Sequence, residues 1–182
     1  MSYQDLAKAL RMPLGFVLGA LYLAFAQPEP LPLAVGGSIA LIGVLVRGWA
    51  SGHIRKNEQL AITGPYAYTR NPLYFGSFLI AAGFAIAAHW SLLLLVIAFF
   101  VLVYAPKIEA ERVNILGRFP TEYPNYARSV PAFFPRRTAW TLESGEDDRF
   151  SFDLYMKHGE WKAALVFVAA LIWLGLRASQ GL

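Results

Sequence analysis

Five apolar segments limit what this chain can fold into. They cover residues 12–26, 31–50, 73–88, 91–106 and 161–177. A helix of about 20 apolar residues spans a bilayer, and aromatic residues at its ends extend a shorter one through the interface. The chain is 57% hydrophobic and 15% charged, against about 45–50% and about 25% in soluble domains. The sequence therefore predicts an all-α, polytopic membrane helical bundle of about five transmembrane helices, forming a single domain over residues 1–182.

The positive charges are concentrated at one end of this predicted bundle. All of the 16 lysines and arginines except Arg177 lie before the first span, or in and next to the polar segments 51–71 and 107–160. The positive-inside rule then predicts a cytoplasmic N-terminus, with both polar segments on the cytoplasmic face of the cell inner membrane. The net charge of +4 thus indicates a membrane orientation, with no nucleic acid as a partner.

The two ends of the chain allow further predictions. Residues 8–27, KALRMPLGFVLGALYLAFAQ, also have the basic start, apolar core and small-residue end of a signal peptide. Cleavage would leave four spans and misplace the C-terminus, so we expect this segment to stay as a span. The acidic stretch 143–149 is predicted to be a solvated loop, followed by an interfacial helix in FSFDLYM and the C-terminal transmembrane helix 161–177.

Cysteine and histidine place limits on the chemistry. The chain has no cysteine, which excludes disulfides, thiolate nucleophiles and cysteine-based metal sites. The three histidines, His53, His89 and His158, lie far apart without the spacing of metal ligands. The sequence therefore predicts no metal site.

Residues 63–78, TGPYAYTRNPLYFGSF, combine turn signals, aromatic residues and a single arginine. Gly64-Pro65 indicates a turn, and Asn71-Pro72 indicates a helix that begins at Pro72 with Asn71 as its N-cap. The free N–H groups at such a helix start attract anions, and Arg70 adds a full positive charge. Gly76 is small enough to let another membrane helix approach closely. Three tyrosines supply flat amphipathic faces: Tyr66, Tyr68 and Tyr74. An ordinary interfacial role of the tyrosines and the arginine fits this stretch as well.

A second cluster of charged, aromatic and proline residues follows the fourth span, in residues 105–135. Glu109 and Arg112 are three residues apart and are predicted to pair on one helix face. Glu111 faces elsewhere, close to the bilayer and without an obvious local partner. Two tyrosines, three residues apart, lie further along: Tyr123 and Tyr126. We expect both clusters to face the same side of one small bundle.

Together the two clusters resemble the isoprenylcysteine carboxyl methyltransferase family, within the wider group that includes phospholipid N-methyltransferases. The family motif Gly-Pro-Tyr…Arg-His-Pro-x-Tyr-x-Gly is matched by Gly64, Pro65, Tyr66, Arg70, Asn71, Pro72, Tyr74 and Gly76. The later motif, a Glu-rich helix with Phe-Gly-x-Glu-Tyr-x-x-Tyr and Val-Pro…Pro, is matched by Glu109, Glu111, Phe119, Glu122, Tyr123, Tyr126, Val130, Pro131 and Pro135. Asn71 replaces the family's histidine, and Pro120 replaces a glycine. The resemblance covers about residues 60–135, which it identifies as the catalytic core.

This resemblance implies an integral membrane methyltransferase that uses S-adenosylmethionine and a lipid-like acceptor entering from the bilayer. The acceptor group of such an enzyme is an isoprenylcysteine-like carboxylate or a phospholipid-like group. Under this hypothesis Arg70 and Glu111 form the polar centre. Arg70 or Lys107 would position a carboxylate acceptor, whereas Glu111 would orient or deprotonate an amine. Cofactor binding is expected from Gly64, Pro65, Tyr66, Asn71, Pro72, Tyr74, Glu109, Tyr123 and Tyr126.

Two other hypotheses fit parts of the sequence. Membrane sterol reductases, which use NADPH, have a similar C-terminal region, but their chains have more helices before it. A membrane module that binds a lipid or a partner without catalysis would keep the pocket and tolerate Asn71 and Pro120. Carboxylate, amine and thiol acceptors all fit an aromatic pocket with one cation and one carboxylate.

Overall fold

The described part of the chain is helical. The computed structural model describes residues 28–55, 59–141 and 149–180, together with positions 13, 15, 17, 19, 22 and 26. Six helices and no strand occur within residues 28–180 of this part: α1 (Pro30–Ser51), α2 (Pro72–Ala88), α3 (Leu92–Arg118), α4 (Tyr123–Ser129), α5 (Phe152–His158) and α6 (Trp161–Gln180). The prediction of an all-α fold is confirmed.

Three of these helices, α1, α3 and α6, are long and apolar enough to cross a membrane. The apolar helix α2 has 17 residues, which at about 1.5 Å per residue falls somewhat short of a bilayer core of ~30 Å. Large apolar side chains on the long helices, among them Leu45, Leu94 and Val166, are exposed on the outside of the bundle. Most of the predicted span 12–26, and the acidic stretch as far as residue 148, lie outside the described residues.

Helices α1 and α2 pack backbone to backbone at two pairs of glycines. A Cβ added to Gly36 would lie 2.3 Å from the carbonyl oxygen of Gly83, and one added to Gly43 would lie 2.6 Å from that of Gly76. Both distances are far below van der Waals contact, so only glycine permits this crossing. The predicted close approach of another helix at Gly76 is therefore present, and the partner is α1.

Helices α2 and α3, which contain the third and fourth apolar segments, form a tight hairpin with only residues 89–91 between them. Ring contacts follow the antiparallel pair, with centroid distances of 5.2 Å for Phe78–Phe100 and 5.6 Å for Tyr74–Tyr104. A π-helical turn, Phe100–Tyr104, lies just before Pro106, which has no N–H for a regular helical hydrogen bond. The helix then continues to Arg118, well beyond the predicted end of this span at residue 106.

The C-terminal helix α6 packs on both α1 and α2. Leu174 and Phe167 are buried, and the Phe167 ring lies 6.0 Å from that of Phe84 on α2. The preceding helix α5 starts at the Ser151 hydroxyl, which accepts a hydrogen bond from the Leu154 N–H, and ends at Gly159 with φ 71°. Glu160, directly before α6, forms an ion pair with Arg47 near the end of α1, so the start of α6 lies beside that end.

Candidate active site

The turn before α2 is held by the segment that follows α3. Each of the six consecutive residues 66–71 makes a hydrogen bond to residues 126–140. Three carbonyl oxygens accept: that of Tyr66 from the Tyr126 hydroxyl (2.7 Å), that of Ala67 from the Trp140 N–H (3.0 Å) and that of Tyr68 from the Arg136 N–H (2.9 Å). Three groups donate: Thr69 Oγ1 to the Phe133 carbonyl (2.8 Å), the Arg70 N–H to that of Pro131 (3.0 Å) and Asn71 Nδ2 to that of Ala132 (2.7 Å). These six bonds, here called the signature junction, hold the two sequence clusters together.

The start of α2 agrees only in part with the sequence prediction. Pro72 is the first helical residue and Asn71 precedes it, as predicted. The Asn71 side chain, however, makes no capping hydrogen bond. Its amide donates to the Ala132 carbonyl instead, because the signature junction brings that oxygen within reach. The expected capping bond of Asn71 is therefore wrong, and the residue fastens a loop.

Gly64 and Pro65 shape the turn itself. Gly64 has φ +56°, and an added Cβ would lie 2.6 Å from the His53 ring. A residue with a side chain is disfavoured on both counts. Gly64 and Pro65 are the first two residues of the short 3₁₀ helix Gly64–Ala67. The predicted turn is present, and it brings Tyr66 to the edge of a cavity.

A cavity of about 880 Å³ lies at this end of the bundle, within the range of about 300–1,000 Å³ typical of small-molecule sites. Its walls come from the end of α1 and the loop after it, the start of α2, α3 from Phe99 onward, α4 and the residue before α6. The predicted site residues that line it are Tyr66, Arg70, Asn71, Pro72, Tyr74, Glu109, Glu111, Tyr123 and Tyr126. Gly64, Pro65 and Lys107 are not among its lining residues.

The two residues of the predicted polar centre, Arg70 and Glu111, both face this cavity. Glu111 Oε2 accepts a hydrogen bond from the Tyr74 hydroxyl at 2.9 Å. Arg70 Nη1 donates to the Tyr123 hydroxyl at 3.0 Å, and its guanidinium carbon lies 5.9 Å from the centre of that ring. The partner that Glu111 lacks on its own helix is therefore supplied by α2.

Two buried polar atoms of the cavity wall have no hydrogen-bond partner among the described residues: the Tyr66 hydroxyl oxygen and Arg70 Nε. Burial raises the pKa of Tyr66, so the hydroxyl keeps its proton at neutral pH and can act as a donor. Buried polar atoms in proteins are nearly always paired. These two unpaired donors are therefore unusual features of the cavity wall.

A second carboxylate–arginine arrangement lies at the cavity rim. Arg112 Nη2 and Glu109 Oε1 are 2.6 Å apart, and Arg112 Nε donates to Glu109 Oε2 at 2.8 Å. The predicted pairing of Glu109 with Arg112 is confirmed. Both side chains are well exposed, so the pair contributes little to stability.

Arg47 and Glu160 also line the cavity, and sequence reasoning missed them as site residues. They form a two-pronged ion pair, with distances of 2.9 Å from Arg47 Nε to Glu160 Oε2 and 2.6 Å from Nη2 to Oε1. Arg47 carries a positive charge near the end of the apolar segment 31–50. A charged residue within a predicted transmembrane segment by itself indicates a functional site. Glu160 gives no comparable signal, because its partner is 113 residues away in the sequence. Within the described part of the chain, no group of three histidine, aspartate or glutamate side chains is arranged to hold a metal ion.

Part of the chain is similar to a known family of membrane proteins. Residues 33–114, which run from α1 to the second half of α3, match the phospholipid methyltransferase family. The resemblance to the wider phospholipid methyltransferase group is thus confirmed. No solved structure matches the chain.

Two metal resistance proteins are similar to this chain. It is 35% identical over 113 residues to the nickel-cobalt-cadmium resistance protein NccN of Alcaligenes xylosoxydans xylosoxydans, covering 60% of this chain and 51% of that protein. It is 32% identical over 142 residues to the cobalt-zinc-cadmium resistance protein CzcN of Cupriavidus metallidurans, covering 74% of this chain and 65% of that protein. The chain thus spans less than two thirds of the length of either relative.

Proposed function

We propose that this protein transfers a methyl group from S-adenosylmethionine to a hydrophobic, lipid-like acceptor at the cytoplasmic face of the cell inner membrane. One observation above all supports this: the signature junction brings both sequence clusters to one cavity, next to helices that match the phospholipid methyltransferase family. The concentration of lysine and arginine at this end of the bundle supports the cytoplasmic side.

The polar atoms of the cavity wall fit the proposed cofactor. The carboxylate of S-adenosylmethionine matches the positive charge of Arg70, with its unpaired Nε, and the N-terminus of α2. The Tyr66 hydroxyl would donate to the same ligand, and the Tyr74 and Tyr123 rings offer aromatic faces for its adenine. Asn71, Tyr126 and Gly64-Pro65 would act by holding this wall in place. Glu109 completes the rim with Arg112.

The bound cofactor supplies a methyl group on a sulfonium, which is already activated for in-line transfer. The residues of the chain then have to align the acceptor and exclude water. Glu111, oriented by Tyr74, would hold the proton of an amine acceptor or take it up. Arg70 would position a carboxylate acceptor, as in O-methylation of an isoprenylcysteine-like group. Lys107, half-buried one turn before Glu111, stays a predicted second cation for that role.

The names of the two relatives add a physiological side to the proposal. Both are named for resistance to transition metals. We propose that the methylated product of this protein also contributes to metal resistance. A deletion strain should then grow less well on cobalt or cadmium, and a catalytically inactive variant should fail to restore growth.

Ligand binding and methyl incorporation together test the enzymatic proposal. The full chain in nanodiscs is titrated with S-adenosylhomocysteine by calorimetry, and is then incubated with methyl-labelled cofactor and a total lipid extract. We expect micromolar binding and a labelled product soluble in organic solvent. Binding without any labelled product favours the non-catalytic lipid- or partner-binding module. Preferential binding of NADPH favours the reductase, and no binding of S-adenosylhomocysteine at millimolar concentration overturns the proposal.

The polar centre has its own test in a matched pair of variants. Glu111→Gln removes the cavity carboxylate, whereas Glu29→Gln removes an exposed carboxylate outside the cavity. Loss of an oriented general base lowers turnover by about 10²–10⁴-fold, so we expect that loss only in the first variant. Equal turnover in both would remove Glu111 from the proposed centre.

A further inference from the structure

Arg47 lies where three helices meet beside the cavity. It belongs to the last part of α1, and both of its outer nitrogens and Nε are engaged. Its ion pair with Glu160, the residue before α6, leaves only 23% of the Arg47 and 13% of the Glu160 side chain exposed. A largely buried pair in two-pronged geometry fixes both the distance and the angle between its helices.

The same guanidinium also binds the first turn of α2. Arg47 Nη1 donates to the Leu73 carbonyl at 3.2 Å and, at a shorter distance, to the Ser77 hydroxyl. The arginine stem reaches this position across Gly76, where an added Cβ would lie 2.6 Å from Arg47 Cγ. Arg47 thus binds Leu73, which directly precedes Tyr74, and Ser77, one turn further along α2.

Tyr74 directly follows Leu73, between those two contacts, and its hydroxyl donates to Glu111 Oε2 at 2.9 Å. A continuous series of contacts therefore runs from Glu160 through Arg47 and the first turn of α2 to Tyr74 and Glu111. Glu160 lies outside residues 33–114, the region that matches the methyltransferase family.

We propose that Arg47 and Glu160 are positioning residues, which set the orientation of Tyr74 and hence of the Glu111 carboxylate. The C-terminal helix α6 is then part of the working site as well as of the membrane bundle. The link to turnover rests on the proposed function, whereas the link to the geometry of Glu111 does not.

An exchange of the two charges separates positioning from simple stabilisation. Arg47→Glu and Glu160→Arg each leave a buried charge unpaired and should lower the melting temperature. The double variant restores an ion pair between α1 and α6. It has a glutamate at position 47, however, so the hydrogen bonds from the guanidinium to the Leu73 carbonyl and the Ser77 hydroxyl are lost. We expect the double variant to recover most of the melting temperature while turnover stays at least about tenfold low. Recovery of both quantities would overturn the positioning role.

Two milder variants keep the test decisive if the exchanged protein does not fold. Ser77→Ala removes one acceptor of Arg47 and leaves the ion pair intact, so we expect kcat to fall about three- to tenfold with an unchanged KM for the cofactor. Arg47→Lys keeps the charge but not the two-pronged geometry, and its matched control is Arg128→Lys on the exposed part of α4. Unchanged kcat in both Ser77→Ala and Arg47→Lys would contradict the proposal.

A spectroscopic measurement checks the geometry without any cofactor. The carboxyl ¹³C resonance of Glu111, assigned by its loss in Glu111→Gln, reports the hydrogen bond from Tyr74. We expect this resonance to move in Arg47→Lys and in Glu160→Gln, and to stay in place in Arg128→Lys. An unmoved resonance in the first two variants would overturn the inference. Failure of the proposed function is seen separately, as absent binding of S-adenosylhomocysteine by the unaltered protein.

Discussion

The hydroxyl of Tyr74 donates a hydrogen bond to the Glu111 carboxylate in the cavity wall. A carboxylate has about four lone-pair sites, and one oxygen of Glu111 is bound by this hydroxyl at 2.9 Å. The Tyr74 ring also packs against Tyr104 of α3, so the hydroxyl can be removed while the ring stays in place. This separates the hydrogen bond from the packing of the hairpin.

We expect Tyr74→Phe to fold normally and to lose most of the proposed methyl transfer. A hydrogen bond to a charged group contributes about 1.5–3 kcal/mol, which corresponds to a loss of about 10–100-fold in kcat. Turnover with the labelled cofactor measures it, and Tyr155→Phe on α5, outside the cavity, is the control. A kcat within twofold of the unaltered protein would show that Tyr74 does not orient the acting group.

Tyr66 predicts how stability changes at high pH. Burial raises its pKa above the ordinary value of about 10, so the folded state holds the proton more tightly than the unfolded state. This stabilisation is complete below about pH 10 and is lost as the pH rises from there toward the folded-state pKa. Burial raises the pKa of Tyr126 in the same direction.

The matching experiment compares Tyr66→Phe with the unaltered protein. Phenylalanine removes an unpaired hydroxyl and a titrating group, so the variant should keep more of its neutral-pH melting temperature at pH 11. Thermal unfolding between pH 8 and pH 11 measures this difference. Parallel curves for the two proteins would mean that Tyr66 takes no part in alkaline unfolding.

At the scale of elements, the crossing of α1 and α2 depends on glycine. A Cβ at Gly76 would meet the Gly43 carbonyl oxygen at 2.7 Å as well as the Arg47 stem. Gly76→Ala must therefore move two helix backbones apart, and we expect a large fall in melting temperature and a poor yield of dispersed protein. Size-exclusion chromatography and thermal unfolding in detergent measure both effects.

The control for this prediction lies in α6. A Cβ at Gly175 would meet nothing within 4 Å, and alanine is favoured over glycine in a helix by about 1 kcal/mol. Gly175→Ala should therefore be neutral or slightly stabilising. If both variants lose stability alike, the close crossing at Gly76 is not responsible for the loss.

The sequence predicted the elements well where a continuous apolar segment marks them. The starts and ends of α1 and α2 and the hairpin at residues 89–91 follow from apolar segments and from Asn71-Pro72. The second half of α3 was not predicted to continue the span, because beyond residue 106 charged residues replace the apolar pattern. Helical hydrogen bonds, which do not depend on that pattern, extend it to Arg118.

For the whole molecule, topology remains a prediction that the chain is well suited to test. The chain has no cysteine, so a single introduced cysteine is labelled without background labelling at other positions of the chain. Glu122→Cys lies at the cavity end and Ser91→Cys in the α2–α3 turn, and both positions are exposed. A membrane-impermeant maleimide should label position 91 in intact spheroplasts and position 122 only in inverted vesicles. The reverse pattern would place the cavity outside.

Much of the site was predictable as residue types and little of it as geometry. Arg70, Tyr74 and Glu111 were named from two motifs, and all three line one cavity. The hydrogen bonds and ion pairs between site residues were not predicted. The Tyr74–Glu111 bond joins residues 37 positions apart, and the Arg47–Glu160 bond joins residues 113 positions apart. Such contacts follow from the packing of helices, for which the sequence pattern holds no direct signal.

The loop that follows α4 is bound to the turn before α2 through its main chain. Thr69, Arg70 and Asn71 donate to three successive carbonyl oxygens of residues 131–133, and a carbonyl is present whatever the side chain. Ala132 meanwhile contributes to the cavity wall. Its side chain can therefore be enlarged or made polar to change the shape and polarity of the cavity, while the hydrogen bonds of residues 69–71 to the carbonyl oxygens of residues 131–133 stay intact.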